Sequence, residues 1–175
     1  LAFLAQQVKV KIDENKRIMD VIVKHSSDLS EIAALENLFI LVRIPVKFVA
    51  DIEVCGEFEN LKVRDIIYDD IEFDGKAKNV FVTNASGHLE LNTNSNLKVE
   101  VNTAHGKIDL NHFHAVSKLK FAEGQNYYLK NAGRFTRFVD ANGKLLAGKR
   151  EKDDPAEPVD LIVELNGWKA EAQIL

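Results

Sequence analysis

Acidic side chains recur at one position of a repeated strand pattern, where neighbouring carboxylates would be able to act together. Glu72, Glu90 and Asp109 each lie between two apolar residues, and Glu90 and Asp109 are 19 positions apart (109 − 90 = 19). Paired carboxylates perform general acid–base catalysis or, with carbonyl oxygens, hold Ca²⁺. No histidine or hydroxyl nucleophile is predicted beside this column. We therefore interpret it as a solvent-facing ladder, screened by water and offset by lysines such as Lys107.

Asparagine residues follow the two best acidic candidates at the same interval. Asn92 lies two positions after Glu90, and Asn111 lies two positions after Asp109. Stacked amides form hydrogen-bonded ladders that close the turns of a repeat, and a flat polar face of this kind can also contact a glycan. Glu90, Asp109, Asn92 and Asn111 are therefore the candidates for ligand binding, and no catalytic residue is predicted.

The histidines raise a hypothesis of metal binding that we do not favour. His112 and His114 are two positions apart, so on a strand both side chains would project from the same face, as a metal chelate requires. His105 is nearby in the sequence, and Asp109 would supply an oxygen ligand. Because no cysteine or further histidine completes the set, we expect polar surface histidines, with no metal site and no cofactor.

The elements that would position these side chains are repeated strands. Residues 80–91 and 99–110 alternate apolar and polar residues, which is typical of strands with one buried face. Val80 matches Val99, Val82 matches Val101, Gly87 matches Gly106, Leu89 matches Ile108 and Leu91 matches Leu110, each pair 19 positions apart. The pattern predicts an all-β protein with a parallel β-solenoid of about five coils over residues 46–131.

The N-terminal part, residues 1–45, is predicted to cap the solenoid. Two alternating strands are expected over 8–12 and 17–24, paired with one another. The sequence of residues 28–37 resembles a capping box followed by a short helix. Its apolar face would cover the open end of the coils and prevent edge pairing.

The C-terminal part, residues 132–175, is predicted to form hairpins that cap the other end. One hairpin would turn at residues 140–143, and a charged loop with two prolines follows over 147–158. The dipeptide Asn166–Gly167 predicts a type I′ turn between two further strands, with Trp168 packed over the last coil as a lid. We expect one domain over residues 1–175.

Bulk composition excludes several classes of protein. The chain has 175 residues, of which 46% are hydrophobic and 29% charged, and its net charge is −4. These values fit an ordinary globular protein, give no general attraction to nucleic acid, and leave no run of about 18 apolar residues that would span a bilayer. The single cysteine, Cys55, excludes an intramolecular disulfide framework. The first residue is Leu1, which we interpret as compatible with a removed leader or anchor.

Charge is distributed unevenly along the chain. Residues 51–74 contain nine acids against two bases, whereas residues 130–152 contain seven bases against two acids. We hypothesise that this polarity orients contacts between subunits, or with an anionic partner such as a wall polymer. A solvated surface that prevents edge aggregation is the alternative explanation.

A resemblance to a known family follows from these patterns. A strand that ends in Arg43-Ile44-Pro45 precedes coils of the form Val-x-Val-x-Thr-x-x-Gly-x-Ile-x-Leu, best seen over residues 99–110. Over about residues 38–131 the chain resembles a bacterial adhesin-like β-solenoid family of unknown function. The resemblance implies a right-handed, pectate-lyase-like β-helix, members that are often membrane-anchored or secreted, and no established catalytic residues.

The sequence therefore predicts a non-enzymatic β-solenoid that acts as a structural or binding module. Its expected partners are a glycan or wall polymer, or further copies of itself, and a cell-surface or secreted location is favoured over the cytoplasm. One alternative is a self-assembling scaffold inside the cell or at a membrane. A second is a carbohydrate-active enzyme, an interpretation that rests only on analogy with polysaccharide lyases of the β-helix fold.

Overall fold

A computed structural model describes residues 8–13, 18–23, 41–43, 51–147 and 155–175. Within these ranges every regular element is a β-strand, and no helix occurs among them. The all-β prediction is therefore confirmed for the described part of the chain. The short helix predicted over 28–37 lies outside the described residues.

Contacts between residues divide the chain into two compact units, Leu1–Arg43 and Ile44–Leu175. The first unit contains an antiparallel hairpin of β1 (Val8–Asp13) and β2 (Ile18–Val23). This pairing confirms the two N-terminal strands that alternating apolar residues predict. The assignment of residues 1–175 to a single domain stays a prediction.

In the described part of the second unit the strands form one mixed sheet of eight. Its strands are β3 (Asp51–Thr93), β4 (Leu97–Phe113), β5 (Val116–Phe121), β6 (Tyr127–Asn131), β7 (Arg137–Asp140), β8 (Leu145–Ala147), β9 (Leu161–Trp168) and β10 (Glu171–Ile174). The pairings between these named strands are parallel apart from the antiparallel pair of β7 and β8. That antiparallel pair confirms the hairpin predicted around residues 140–143.

The repeat in the sequence corresponds to the way in which neighbouring strands pair. β3 pairs with β4 at an offset of 19 residues, so that Val80 lies beside Val99 and Leu89 lies beside Ile108. The offset predicted from the sequence is therefore confirmed. Each apolar residue of one strand is covered by its counterpart on the next, as stacking of successive strands requires.

Residues with left-handed backbone angles recur at the same interval. Asp65, Asn84 and Thr103 have φ angles of 54°, 46° and 61°. Asn and Asp tolerate this conformation better than most residues. Asn84 Nδ2 also donates a hydrogen bond to Asp65 Oδ1 at 3.0 Å. These residues therefore place successive bends of the chain next to one another.

Apolar residues at alternating positions form the core of the second unit. Val80, Leu89 and Leu110 have no exposed surface. At roughly 1.5–3 kcal/mol for each fully buried side chain, stacking of several strands supplies burial that one isolated pair lacks. The same core contains Ile71, Phe73, Val82, Leu91, Val99, Val101, Ile108, Leu119, Val163 and Leu165.

The C-terminal strands do not form the predicted hairpin. β9 runs through Asn166 and Gly167 without turning, and it pairs in parallel with β4 on one side and β6 on the other. Gly167 has a φ angle of +99°, and a Cβ atom there would lie 1.9 Å from the carbonyl oxygen of His112. The glycine permits close approach of two strands rather than a type I′ turn. The predicted hairpin cap at this end is therefore wrong.

β10, like β9, lies between two strands that come earlier in the chain. It pairs in parallel with β5 and with β7. Lys169, which precedes it, has a φ angle of 51°, and the corresponding corner residues His114 and Phe135 have φ angles of 54° and 59°. Residues 161–174 therefore lie between stretches of chain that come earlier in the sequence. We call residues 161–174 the C-terminal insert.

Candidate functional site

Of the three acids in the predicted column, Glu90 and Asp109 lie in register on adjacent strands, and Glu72 instead accepts a hydrogen bond from Asn92. Glu90 is beside Asp109, Asp109 is beside Glu164, and Glu164 is beside Lys130. We call these four residues the charged column. Asp109 and Glu164 are each only 8% exposed, so the expectation of a fully solvent-facing ladder is wrong for this part of it. Glu164 extends the column beyond the residues that the sequence identified.

Lys107 forms ion pairs with both buried carboxylates of the charged column. Its Nζ atom lies 3.0 Å from Asp109 Oδ1 and 2.8 Å from Glu164 Oε2. Burial disfavours the charged form of Glu164, but its hydrogen bond to Lys107 and the charge of that lysine outweigh burial and hold the pKa of Glu164 below its usual value. An acid that is held ionised in this way is poorly suited to donate a proton.

His88 joins the charged column to a further acid. Its Nδ1 atom lies 2.9 Å from Asp70 Oδ1, and its Nε2 atom lies 3.0 Å from Asp109 Oδ2. A protonated imidazole donates to both carboxylates at once, whereas a neutral ring donates to only one. The expectation that no histidine lies beside the column is therefore wrong. The signal was present, since residues 88 and 90 share one face of a strand.

Asn92 and Asn111 form an amide ladder with neighbouring acids. Asn111 Nδ2 donates to Asn92 Oδ1 at 2.7 Å and also contacts Glu90 Oε1. Asn92 Nδ2 donates to Glu72 Oε1 at 2.8 Å. The four binding candidates predicted from the sequence, including Asp109, thus all have partners within the protein. The hydrogen bonds of Asn92 and Asn111 hold adjacent strands in register.

His112 is buried, contrary to the prediction of a surface residue. Its side chain has no exposed surface, and its Nε2 atom contacts the hydroxyl of Ser117, which is also fully buried. Burial lowers the pKa of His112 to about 4, so the ring is neutral at pH 7. His114 is exposed at a corner. The Nδ1 atom of His105 lies 3.9 Å from Asp160 Oδ1. The three histidines have separate surroundings, unlike the ligands of one metal ion.

Another group of side chains, which the sequence did not single out, has the spacing of metal ligands. The donor atoms of Glu53, Cys55 and Asp74 all lie within 4.8 Å of one another, and all three residues are exposed. Cys55 Sγ donates to Glu53 Oε1 at 3.3 Å, and this hydrogen bond raises the pKa of the thiol. Because a metal ligand must be the thiolate, these acidic surroundings disfavour metal binding by Cys55.

Aromatic side chains meet at the corner where β9 ends. Phe113 is in register with Trp168, and Arg134 forms an isolated parallel bridge with Trp168. The rings of Phe135 and Trp168 pack edge to face, with their centroids 4.9 Å apart. Phe113 is 58% exposed and Phe135 is 65% exposed. We call Phe113, Arg134, Phe135 and Trp168 the aromatic corner.

The guanidinium group of Arg134 lies over two rings of the aromatic corner. Its Cζ atom lies 5.1 Å from the centroid of the Trp168 ring and 5.4 Å from that of the Phe135 ring. Such cation–π contacts contribute roughly 0.5–1 kcal/mol at exposed sites and fix the position of the guanidinium. The exposed Lys169 follows Trp168 directly. The corner therefore combines exposed ring surface with the positive charge of Arg134.

Sequence reasoning missed the aromatic corner because its residues share no period. Phe135 is 22 positions after Phe113, and Trp168 is 33 positions after Phe135 (135 − 113 = 22, 168 − 135 = 33). Trp168 is not a lid over the last coil. It lies on a strand between β4 and β6, with Phe113 beside it on β4.

Comparison with protein-family models, with curated proteins and with solved structures finds no match to this chain. Among the residues that the structure describes, no helix is long and apolar enough to cross a membrane. In the described part of the chain, the charged column and the aromatic corner are the arrangements of side chains that bear on function.

Proposed function

We propose that the unit Ile44–Leu175 is a short, right-handed parallel β-solenoid that acts as a non-enzymatic binding module. The parallel offset of 19 residues and the bends that recur at the same interval support stacked coils. The sequence resemblance to the bacterial adhesin-like family supports the same architecture. It also supports a cell-surface or secreted location, where a binding module would meet a glycan or wall polymer.

The charged column supports a structural role for the acids that an enzyme would otherwise use. Lys107 contacts both Asp109 and Glu164, and Asn111 donates to Glu90. A general acid has to reach its substrate with a proton to give, whereas these acids are already engaged between strands. Lyase or hydrolase activity that disappeared in Glu90→Gln or Asp109→Asn would instead favour the carbohydrate-active enzyme.

The ligand class that best fits the aromatic corner is a glycan that carries carboxylates. Exposed aromatic rings pack against the apolar faces of sugar rings, and a guanidinium group pairs with carboxylates through two parallel hydrogen bonds. The observation that carries this proposal is the position of the Arg134 guanidinium over both the Trp168 and Phe135 rings while Phe135 stays 65% exposed.

Retention on immobilised polygalacturonate, a polymer of uronic acid, tests this function. The wild-type protein should be retained and released by salt, and it should pass through a column of neutral dextran. Arg134→Gln should weaken binding about tenfold, which corresponds to about 1.4 kcal/mol. Arg64→Gln is the matched control, because Arg64 is an exposed arginine paired with Asp65 outside the corner. Equal retention of both variants and wild type would remove the basis of the proposal.

A self-assembling scaffold is the second candidate, and it is supported by the edge strand β8. Among the described strands β8 is the last in the order of the sheet, and its residues Leu145 and Leu146 are 59% and 49% exposed. An apolar strand edge is a template for pairing with another chain. Sedimentation of the double variant Leu145→Lys/Leu146→Lys tests this contact. Association that persists unchanged in this variant would exclude the β8 edge as the interface.

A further inference from the structure

The C-terminal insert occupies a position that the rest of the second unit leaves open. β4 leads directly through a corner into β5, and β6 leads into β7, yet β9 lies between β4 and β6 and β10 lies between β5 and β7. Without the insert, each of these four strands would present an unpaired edge. The insert therefore fills a slot that is formed by residues preceding it in the chain.

Apolar burial and one group of ion pairs hold the insert in this slot. Its inward side chains are buried, namely Leu161 (1% exposed), Val163 (0%), Leu165 (0%), Ala170 (2%) and Ala172 (0%). Glu164 adds ion pairs to Lys107 on β4 and Lys130 on β6, at 2.8 and 3.4 Å. All of these contacts are noncovalent. The same segment of another copy would reproduce each of them.

We propose that the C-terminal insert exchanges between two copies of this chain, so that the slot of each copy receives the insert of the other. Residues 148–160 connect β8 to the insert and number 13 (160 − 148 + 1 = 13). A fully extended segment of this length spans at most about 43 Å at about 3.3 Å per residue, so its length does not confine the insert to its own copy. Exchange of an identical element is a low-cost route to a dimer because no new interface has to be created.

In the exchanged pair both sites contain residues of two chains. The insert brings Trp168 to the aromatic corner and Glu164 to the charged column of the receiving copy. The exchange does not depend on glycan binding, so either proposal can fail alone. A connected segment enters its own slot at a high effective concentration, so dilute chains remain monomeric and concentrated refolding favours exchange.

Two single-cysteine variants test the exchange. Lys118 on β5 lies beside Gln173 on β10. Lys118→Cys and Gln173→Cys are prepared in separate chains that also carry Cys55→Ser, mixed while unfolded, refolded together, and treated with a short bismaleimide. The exchange predicts a covalent heterodimer. Its fraction should fall about tenfold or more when the protein concentration during refolding is lowered about a hundredfold.

Strands outside the insert provide the matched control. Glu100 on β4 lies beside Lys120 on β5, so Glu100→Cys and Lys120→Cys in separate chains should give no heterodimer. A single chain with both Lys118→Cys and Gln173→Cys must cross-link internally when dilute, which shows that the two thiols are within reach. Two results would overturn the exchange. One is that the separate Lys118→Cys and Gln173→Cys chains give no heterodimer. The other is that they give no more heterodimer than the separate Glu100→Cys and Lys120→Cys chains.

Discussion

Lys107 and Glu164 are 57 positions apart in the sequence (164 − 107 = 57), yet Lys107 Nζ lies 2.8 Å from Glu164 Oε2. Lys107 also contacts Asp109 on its own strand at 3.0 Å. Burial disfavours the charged lysine, but its hydrogen bonds to Glu164 and Asp109 outweigh burial and raise the pKa of Lys107. One lysine therefore joins β4 to the C-terminal insert by charge, in addition to the apolar contacts.

Replacement of Glu164 by glutamine should destabilise the second unit. The variant keeps the size of the side chain but leaves Lys107 and Lys130 without this buried counter-charge, so we expect the free energy of unfolding to fall by about 1–3 kcal/mol. Urea denaturation measures the change. Glu100→Gln is the control, because its pair with Lys120 at 3.5 Å is exposed and should contribute less than about 1 kcal/mol. Equal effects of the two substitutions would contradict the role of the charged column.

Gly167→Ala distinguishes the inserted strand from the hairpin that the sequence predicts. In the structure the new Cβ atom would lie 1.9 Å from the His112 carbonyl oxygen, so the unfolding free energy should drop by about 3 kcal/mol or more. Gly124→Ala serves for comparison, since Gly124 has a φ angle of +80° with no atom within 4 Å and should cost only about 1–2 kcal/mol. If both variants lost the same small amount, β9 would not lie against β4.

Stability should decrease in mildly acidic solution because of His112. Burial lowers the pKa of this residue to about 4 in the folded protein, whereas an unfolded histidine has a pKa of about 6.5. Between these values the unfolded chain binds more protons, so the free energy of unfolding falls as the pH is lowered, by about 2 kcal/mol from pH 7 to pH 5. Chemical denaturation at both pH values measures the loss. The loss of unfolding free energy between pH 7 and pH 5 should be smaller in His112→Gln and unchanged in His114→Gln. If His112→Gln showed the same loss as wild type, other titrating groups would be responsible for it.

The amide ladder should be sensitive to charge at Asn111. Asn111→Asp keeps the shape of the side chain but replaces the donor to Asn92 and Glu90 with a carboxylate, so acceptors would face acceptors. We expect a loss of about 1–3 kcal/mol in thermal or urea unfolding at pH 7. Asn102→Asp, at an exposed position of the same strand, should change stability by less than about 0.5 kcal/mol. A neutral Asn111→Asp variant would show that the ladder holds no strands together.

The part of the fold that the sequence predicted is the part where neighbours in space carry the same local pattern. Residues 80–91 and 99–110 alternate in the same way, and the offset between them equals the structural register. Residues 163–166 match residues 108–111, because both segments consist of an apolar residue, an acidic residue, a leucine and an asparagine. These two segments are 55 positions apart (163 − 108 = 55), so they do not follow the interval of 19. The Asn–Gly dipeptide gave a strong local signal for a turn. Pairing with β4 and β6 outweighed that signal because it gives hydrogen-bond partners to both edges of β9.

Side-chain environments were harder to predict than strands. His112 occupies the position next to Thr93 and Gly167 on neighbouring strands, where the chain approaches a corner and its side chain is enclosed. Simple alternation along one strand does not show which corner residues face inward. The aromatic corner depends in addition on the unexpected position of Trp168 beside Phe113, which no spacing in the sequence indicated.

Calorimetric titration of polygalacturonate into wild type, Arg134→Lys, Phe135→Ala and the double variant tests the binding function most directly. Arg134→Lys keeps the charge but loses the planar guanidinium group that lies over the Trp168 and Phe135 rings. We predict that each single substitution weakens binding about five- to tenfold. The double variant should lose less than the product of the two because Arg134 and Phe135 are in contact with one another. Wild-type protein that does not bind, or variants that bind as tightly as wild type, would contradict the assignment of the aromatic corner as the ligand site.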